Sequence, residues 1–161
     1  MFFILGLNFF SAYSACSVRE KIGLLMSVRR RAREIALQVL YQLDIRPGEP
    51  KEALDLYFEN FRPSEKAREF CQRLIDGVCR NREKIDRLLE ENAENWTLKR
   101  MAVVDRNILR VATFELLHCP DIPFKASLNE AIELAKKFGT DDSSAFINGI
   151  LDRIHSLKGT H

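Results

Sequence analysis

The sequence predicts an all-α protein, and three observations carry that prediction. After Met26, apolar residues recur at three- and four-residue spacing; no stretch alternates apolar with polar residues as a half-buried strand would; Pro and Gly fall mainly between the periodic segments. At 161 residues the chain fits one domain with a real core. Its 46% hydrophobic and 30% charged residues are the balance of a globular protein and exclude a disordered one.

The first helix is expected from about Ser27 to Leu43. Val28, Ala32, Ile35, Ala36, Val39 and Leu43 form a 3.6-period stripe along it, and Pro47-Gly48 ends the region. A short helix follows near Glu52 to Phe61. Pro63-Ser64 then opens a long helical stretch toward Glu91, in which Gly77 marks a close contact or a bend. Asn95-Trp96-Thr97 punctuates the chain, and Trp96, at a loop-to-helix junction, reads as a core plug. From Val103 to Leu117 the chain is apolar on most sides, which places that helix in the middle of the fold until Pro120 and Pro123 break it.

Ser127 and Glu130 have capping-box spacing, so the next helix starts there or a residue or two earlier. Its inner face is Ala131, Ile132, Leu134, Ala135 and Phe138, and Gly139 suits a C-terminal cap. Thr140 to Ser143 offers N-caps for a final helix with the stripe Ile147, Ile150, Leu151, Ile154 and Leu157. Gly149 inside it costs about 1 kcal/mol relative to alanine, a cost that a close backbone crossing would offset.

Residues Met1 to Cys16 are apolar and aromatic, but no Lys or Arg precedes the run as in a signal peptide. The run is also shorter than the roughly 20 residues that span a bilayer. Residues 1–26 are therefore expected to be an extension outside the fold, with Met26 the true start, the domain at 27–158 and no membrane association. A secreted or anchored protein is the alternative that this segment leaves open.

Little in the sequence points to catalysis. It carries no Gly-rich phosphate loop, metal-ligand cluster or nucleophile elbow. The carboxylate pair Glu90-Glu91 reads as solvated surface, and Asp141-Asp142 sits where a helix N-terminus favours acids. No catalytic residue, metal or cofactor is expected. Cys16, Cys71, Cys79 and Cys119 lack a CxxC pair and read as structural thiols of a reducing cytoplasm.

The net charge of +2 says nothing about partners, but the placement of the basic residues does. Arg29, Arg30, Arg31 and Arg33 open the first helix, where the dipole disfavours each by roughly 0.3–1 kcal/mol. Guanidinium forks match phosphate oxygens, which gives such a cluster a use. Opposite the apolar stripe lie Arg30, Arg33, Leu37 and Tyr41, so either another helix covers this face or a partner does. Aromatics beside arginines suit stacking of unpaired bases or a protein interface. Phe146, about 100° around the last helix from Ile147, is placed to be semi-exposed.

With these residues in view the chain resembles the NusB family of transcription antitermination factors, from about Val28 to Ile154. Four ordered blocks carry the likeness: Arg30-Arg31-Ala32-Arg33-Glu34 with Ala36 to Tyr41; Asn95-Trp96-Thr97-Leu98 through Val104-Asp105-Arg106 to Leu116; Ile122 to Lys125 with Asn129 to Gly139; and Phe146 to Asp152. The resemblance implies about six or seven helices in two packed subdomains. It implies binding of boxA RNA in ribosomal RNA leaders together with the ribosomal protein NusE, and read-through by RNA polymerase. Carried over by position, Arg29, Arg30, Arg31 and Arg33 would hold RNA phosphates, and Asp142 and Phe146 match positions associated with RNA. Tyr41 and Asp105 match positions near the surface shared by protein partner and RNA. The alternative is a stand-alone NusB-like module associated with an RNA-modifying enzyme.

Overall fold

The structure, a computed structural model, describes the backbone of residues 18–94 and 96–158 and the side chains of residues 27–94 and 96–157. Met1 to Cys16, Asn95 and His161 lie outside the described residues, so the expected N-terminal extension is largely outside them too. Seven α-helices follow one another: α1 (Val18–Ile45), α2 (Pro50–Phe61), α3 (Glu65–Arg80), α4 (Arg82–Asn92), α5 (Val103–His118), α6 (Phe124–Phe138) and α7 (Ser143–Lys158). One 3-10 turn, Leu98–Arg100, links α4 to α5, and no strand occurs among the described residues. α1 begins at Val18, earlier than the expected Ser27.

Local chemistry explains most boundaries. Pro50 stands in the first turn of α2, where its missing N–H and fixed φ are no handicap. The helix ends at Arg62, whose φ of 39° is left-handed and whose N–H bonds the Phe58 carbonyl. Ser64 caps α3 by accepting from the Ala67 N–H. The single helical stretch expected from Pro63 to Glu91 is two helices. Asn81 separates them: its backbone N–H and its Nδ2 both bond the Gly77 carbonyl, at 3.1 and 2.8 Å, and end α3 there. Gly77 itself is a close contact, since a Cβ on it would lie 2.0 Å from Phe114 Cζ of α5.

α5 is the central element. It packs against α1, α3, α4, α6 and α7, and every residue from Asn107 to Glu115 is buried. Helices α1 to α3 form one group and α4 to α7 another, joined chiefly where α1 and α3 meet α5. One continuous apolar core runs through both, from Ile35, Leu74 and Ile75 to Ile108, Ile147 and Leu151. Gly149 has open space where its Cβ would stand, so no backbone crosses there and that expectation is corrected.

Candidate nucleic-acid interface

Because α1 begins at Val18, Arg29, Arg30, Arg31 and Arg33 lie in the middle of the helix and not in its first turn, so the expected opposition of the helix dipole does not apply to them, and the four do not share one environment. Arg33 points inward and is 4% exposed. Its Nε and Nη2 donate to both oxygens of Glu115, at 2.7 and 3.1 Å, and Glu115 also accepts from the Ser127 hydroxyl at 2.6 Å. Its Nη1 lies 3.7 Å from Glu130, which in turn accepts two hydrogen bonds from Arg30, at 3.0 and 2.7 Å. Ser127 and Glu130, three apart, therefore serve this buried network; α6 begins earlier, at Phe124, and leaves no capping box to them. The outer face of α1 is consequently not open along its whole length: Arg33 and Leu37 are packed inside, covered by α5 and α6. In this geometry Arg33 has no free path to a phosphate.

Arg30 and Arg31 differ. Their side chains stay 49% and 45% exposed although each is paired, Arg30 with Glu130 and Arg31 with Glu34. A guanidinium carries five N–H donors. Arg30 uses only Nε and Nη2, so the carboxylate fixes its plane and leaves donors over. Arg29 is more covered, bonded to Asp121 and lying 5.2 Å over the Phe70 ring. Lys137 joins the group through Glu34, at 2.6 Å, and with Arg30 and Lys136 lines a groove of about 320 Å³ between α1 and α6. Lys136 and Lys137 are not among the expected RNA contacts, although the lysine pair stands in plain view two residues before Gly139 in the sequence.

From Lys137 the chain leads through Gly139 into the turn that carries Asp142. Gly139 has no Cβ to collide with Ser143, whose Oγ accepts from the Thr140 N–H. Asp142 is exposed, and its carbonyl accepts the Phe146 N–H in the first turn of α7. Phe146 is half-buried and meets Trp96 edge to face, with ring centroids 5.6 Å apart. Trp96 is no core plug: it is 43% exposed, with the Arg100 guanidinium 5.4 Å over its ring.

Tyr41 lies near the C-terminal end of α1, and Asp105 in the first turn of α5. Tyr41 stands eleven residues beyond Arg30, about 16 Å along the helix, and is 42% exposed. One turn further, Asp44 accepts from Arg82, Arg106, Arg110 and Asn107, which draws the last turns of α1 beside the first turn of α5, where Asp105 lies. Burial of Asp44 works against its charge, but the Arg106, Arg110 and Arg82 guanidiniums and the Asn107 amide outweigh it and hold its carboxyl at about 2. Asp105 is buried, and its Oδ1 accepts no hydrogen bond among the described residues.

The described thiols are unpaired, and burial pushes Cys71 up to about 12 and Cys119 up to about 11, which leaves neither reactive. Among the described residues no His, Cys, Asp and Glu group is arranged to hold a metal, and no helix is long and apolar enough to cross a membrane. His118 stacks on Phe114 and His155 on Phe124.

Comparison with known proteins gives a consistent result. The model of the NusB family matches residues 30–156. The transcription antitermination protein NusB of Desulfatibacillum aliphaticivorans is 52% identical over 83% of this chain and 94% of its own length. That of Geotalea uraniireducens is 51% identical over 82% and 97%. Among solved structures, T. maritima NusB superposes with a TM-score of 0.75 at 42% identity, covering 80% of this chain and 90% of its own. A crystal structure of the antitermination factors NusB and NusE in complex with dsRNA superposes with a TM-score of 0.76 at 28% identity, over 82% and 98%.

Proposed function

The chain belongs to the NusB family, and from that premise we propose that it is a transcription antitermination factor: it binds boxA RNA of ribosomal RNA leaders jointly with NusE and promotes read-through by RNA polymerase. It acts by binding and carries out no catalytic step. The relatives it matches are covered to 94% and 97% of their length and are themselves antitermination proteins, which favours this role over that of a module attached to an RNA-modifying enzyme.

The observation that carries the reading is the state of Arg30 and Arg31: half-exposed, oriented by buried carboxylates and with donors unspent. We assign RNA phosphate contact chiefly to these two, with Lys136 and Lys137 beside them and Arg29 at the margin. Asp142 and Phe146 continue the RNA surface at the start of α7. Arg33 supports it from within. We assign the partner surface to Tyr41, near the C-terminal end of α1, and Asp105, in the first turn of α5. The free thiols fit a cytoplasmic protein.

The test is a binding titration with boxA RNA and a scrambled control, with and without NusE. The expected result is preference for boxA and tighter binding with NusE present. Equal affinity for both RNAs in both conditions would refute the proposal.

A further inference from the structure

We propose that Trp96, with Arg100 and Phe146 around it, is a stacking platform for an unpaired base of the bound RNA, continuing the Arg30 to Phe146 surface across the loop between α4 and α5; the inference rests on the RNA-binding reading above. Trp96 stands in the loop between α4 and the Leu98–Arg100 turn. It meets Phe146 edge to face and still leaves 43% of its surface to solvent. The Trp96 N–H bonds the Ala93 carbonyl at 3.1 Å, and in the turn that follows the Arg100 N–H bonds the Thr97 carbonyl at 2.9 Å. The ring itself is braced on Phe146 and faced by Arg100, which lowers the ordering a ligand must impose.

The charge around it favours an anion with a flat base. Neither Lys99 nor Arg100 makes an ion pair among the described residues, where Arg29, Arg30, Arg31 and Arg33 each have a carboxylate partner. Glu94, two residues before Trp96, is taken up by Arg153 of α7 at 3.1 Å. An exposed indole with an unpaired guanidinium 5.4 Å over its ring, and Lys99 beside that arginine in the chain, is the combination that single-stranded nucleic acid uses: every base has a π-face to stack, and the flanking phosphates meet the cations.

Trp96 is the only tryptophan of the chain, so its own emission reads out the contact. A single-stranded boxA oligonucleotide carrying a terminal dye is titrated into the chain, following dye anisotropy and tryptophan emission together. Quenching of Trp96 along the same isotherm as the anisotropy is expected, with an abasic nucleotide at one position of the oligonucleotide abolishing most of it. Trp96→Ala should weaken binding roughly tenfold, as loss of one base–aromatic stack does, and Trp96→Phe should restore most of that. The circular dichroism melt of each variant reports folding. Saturating anisotropy with unchanged Trp96 emission would overturn the platform while leaving RNA binding intact. Emission that responds only when NusE is added would also overturn it, assigning Trp96 to a protein contact. Absence of any anisotropy change would take down the RNA-binding reading and the platform with it.

Discussion

Arg30 and Arg33 are three residues apart with the same side chain, and their surroundings give them opposite work. Arg33 neutralises Glu115 and shares Glu130, all within the core. Removing one member of a buried ion pair leaves its partner charged and dry, so Arg33→Ala should lower the free energy of unfolding by about 3–5 kcal/mol in urea denaturation. Arg30→Ala and Arg31→Ala should cost far less, because Glu130 keeps Arg33 and Glu34 keeps Lys137. Asp44 supplies a second prediction. Its carboxyl titrates at about 2, below the roughly 3.9 of an unfolded aspartate, so its contribution is complete above pH 4 and disappears as pH falls through 2. Asp44→Asn should remove about 2 kcal/mol at pH 7 and little at pH 2, measured by thermal melts across that window. The sequence showed the arginines but not which carboxylate each would meet. Glu115 and Glu130 lie 82 and 97 residues from Arg33, and no local pattern reports such a pairing.

The helices themselves were mostly legible, because the 3.6-residue period of buried positions is written directly into the chain. α5 is the clear case: apolar all round in sequence, central in the fold. The misses came where one residue outweighs a period. Asn81 splits a continuous helical pattern by bonding back to Gly77, and Ser127 and Glu130 imitate a cap while serving the core. Two glycines at helical positions now separate. Gly149→Ala, into open space, should raise stability by up to about 1 kcal/mol in denaturant unfolding, since alanine favours helix and nothing lies in the way. Gly77→Ala drives a methyl into the Phe114 ring and should cost about 1–3 kcal/mol by the same measurement. A loss of stability at 149 or none at 77 would show that the packing around α3, α5 and α7 differs from this description.

At the scale of the molecule, α1 carries two sets of ion pairs, Arg33 with Glu115 and Glu130 near its middle and Asp44 with three arginines at its C-terminal end. These two anchorages hold the basic surface and the Tyr41 surface at a fixed separation on one rigid helix, a geometry suited to RNA and a protein partner bound at once. The four family blocks made the function readable from sequence. The surface was less so, since exposure of Trp96 and burial of Arg33 are decided by elements far away in the chain. The most direct test is the salt dependence of boxA RNA affinity for the wild type and for Arg30→Ala/Arg31→Ala. With each arginine contributing one phosphate contact, the double variant should bind more weakly, with a log–log slope shallower by about 1.4, or about 0.7 per lost contact on a single strand. Equal affinity and equal slope for the two proteins would contradict the assignment of the RNA surface to the arginines in the middle of α1.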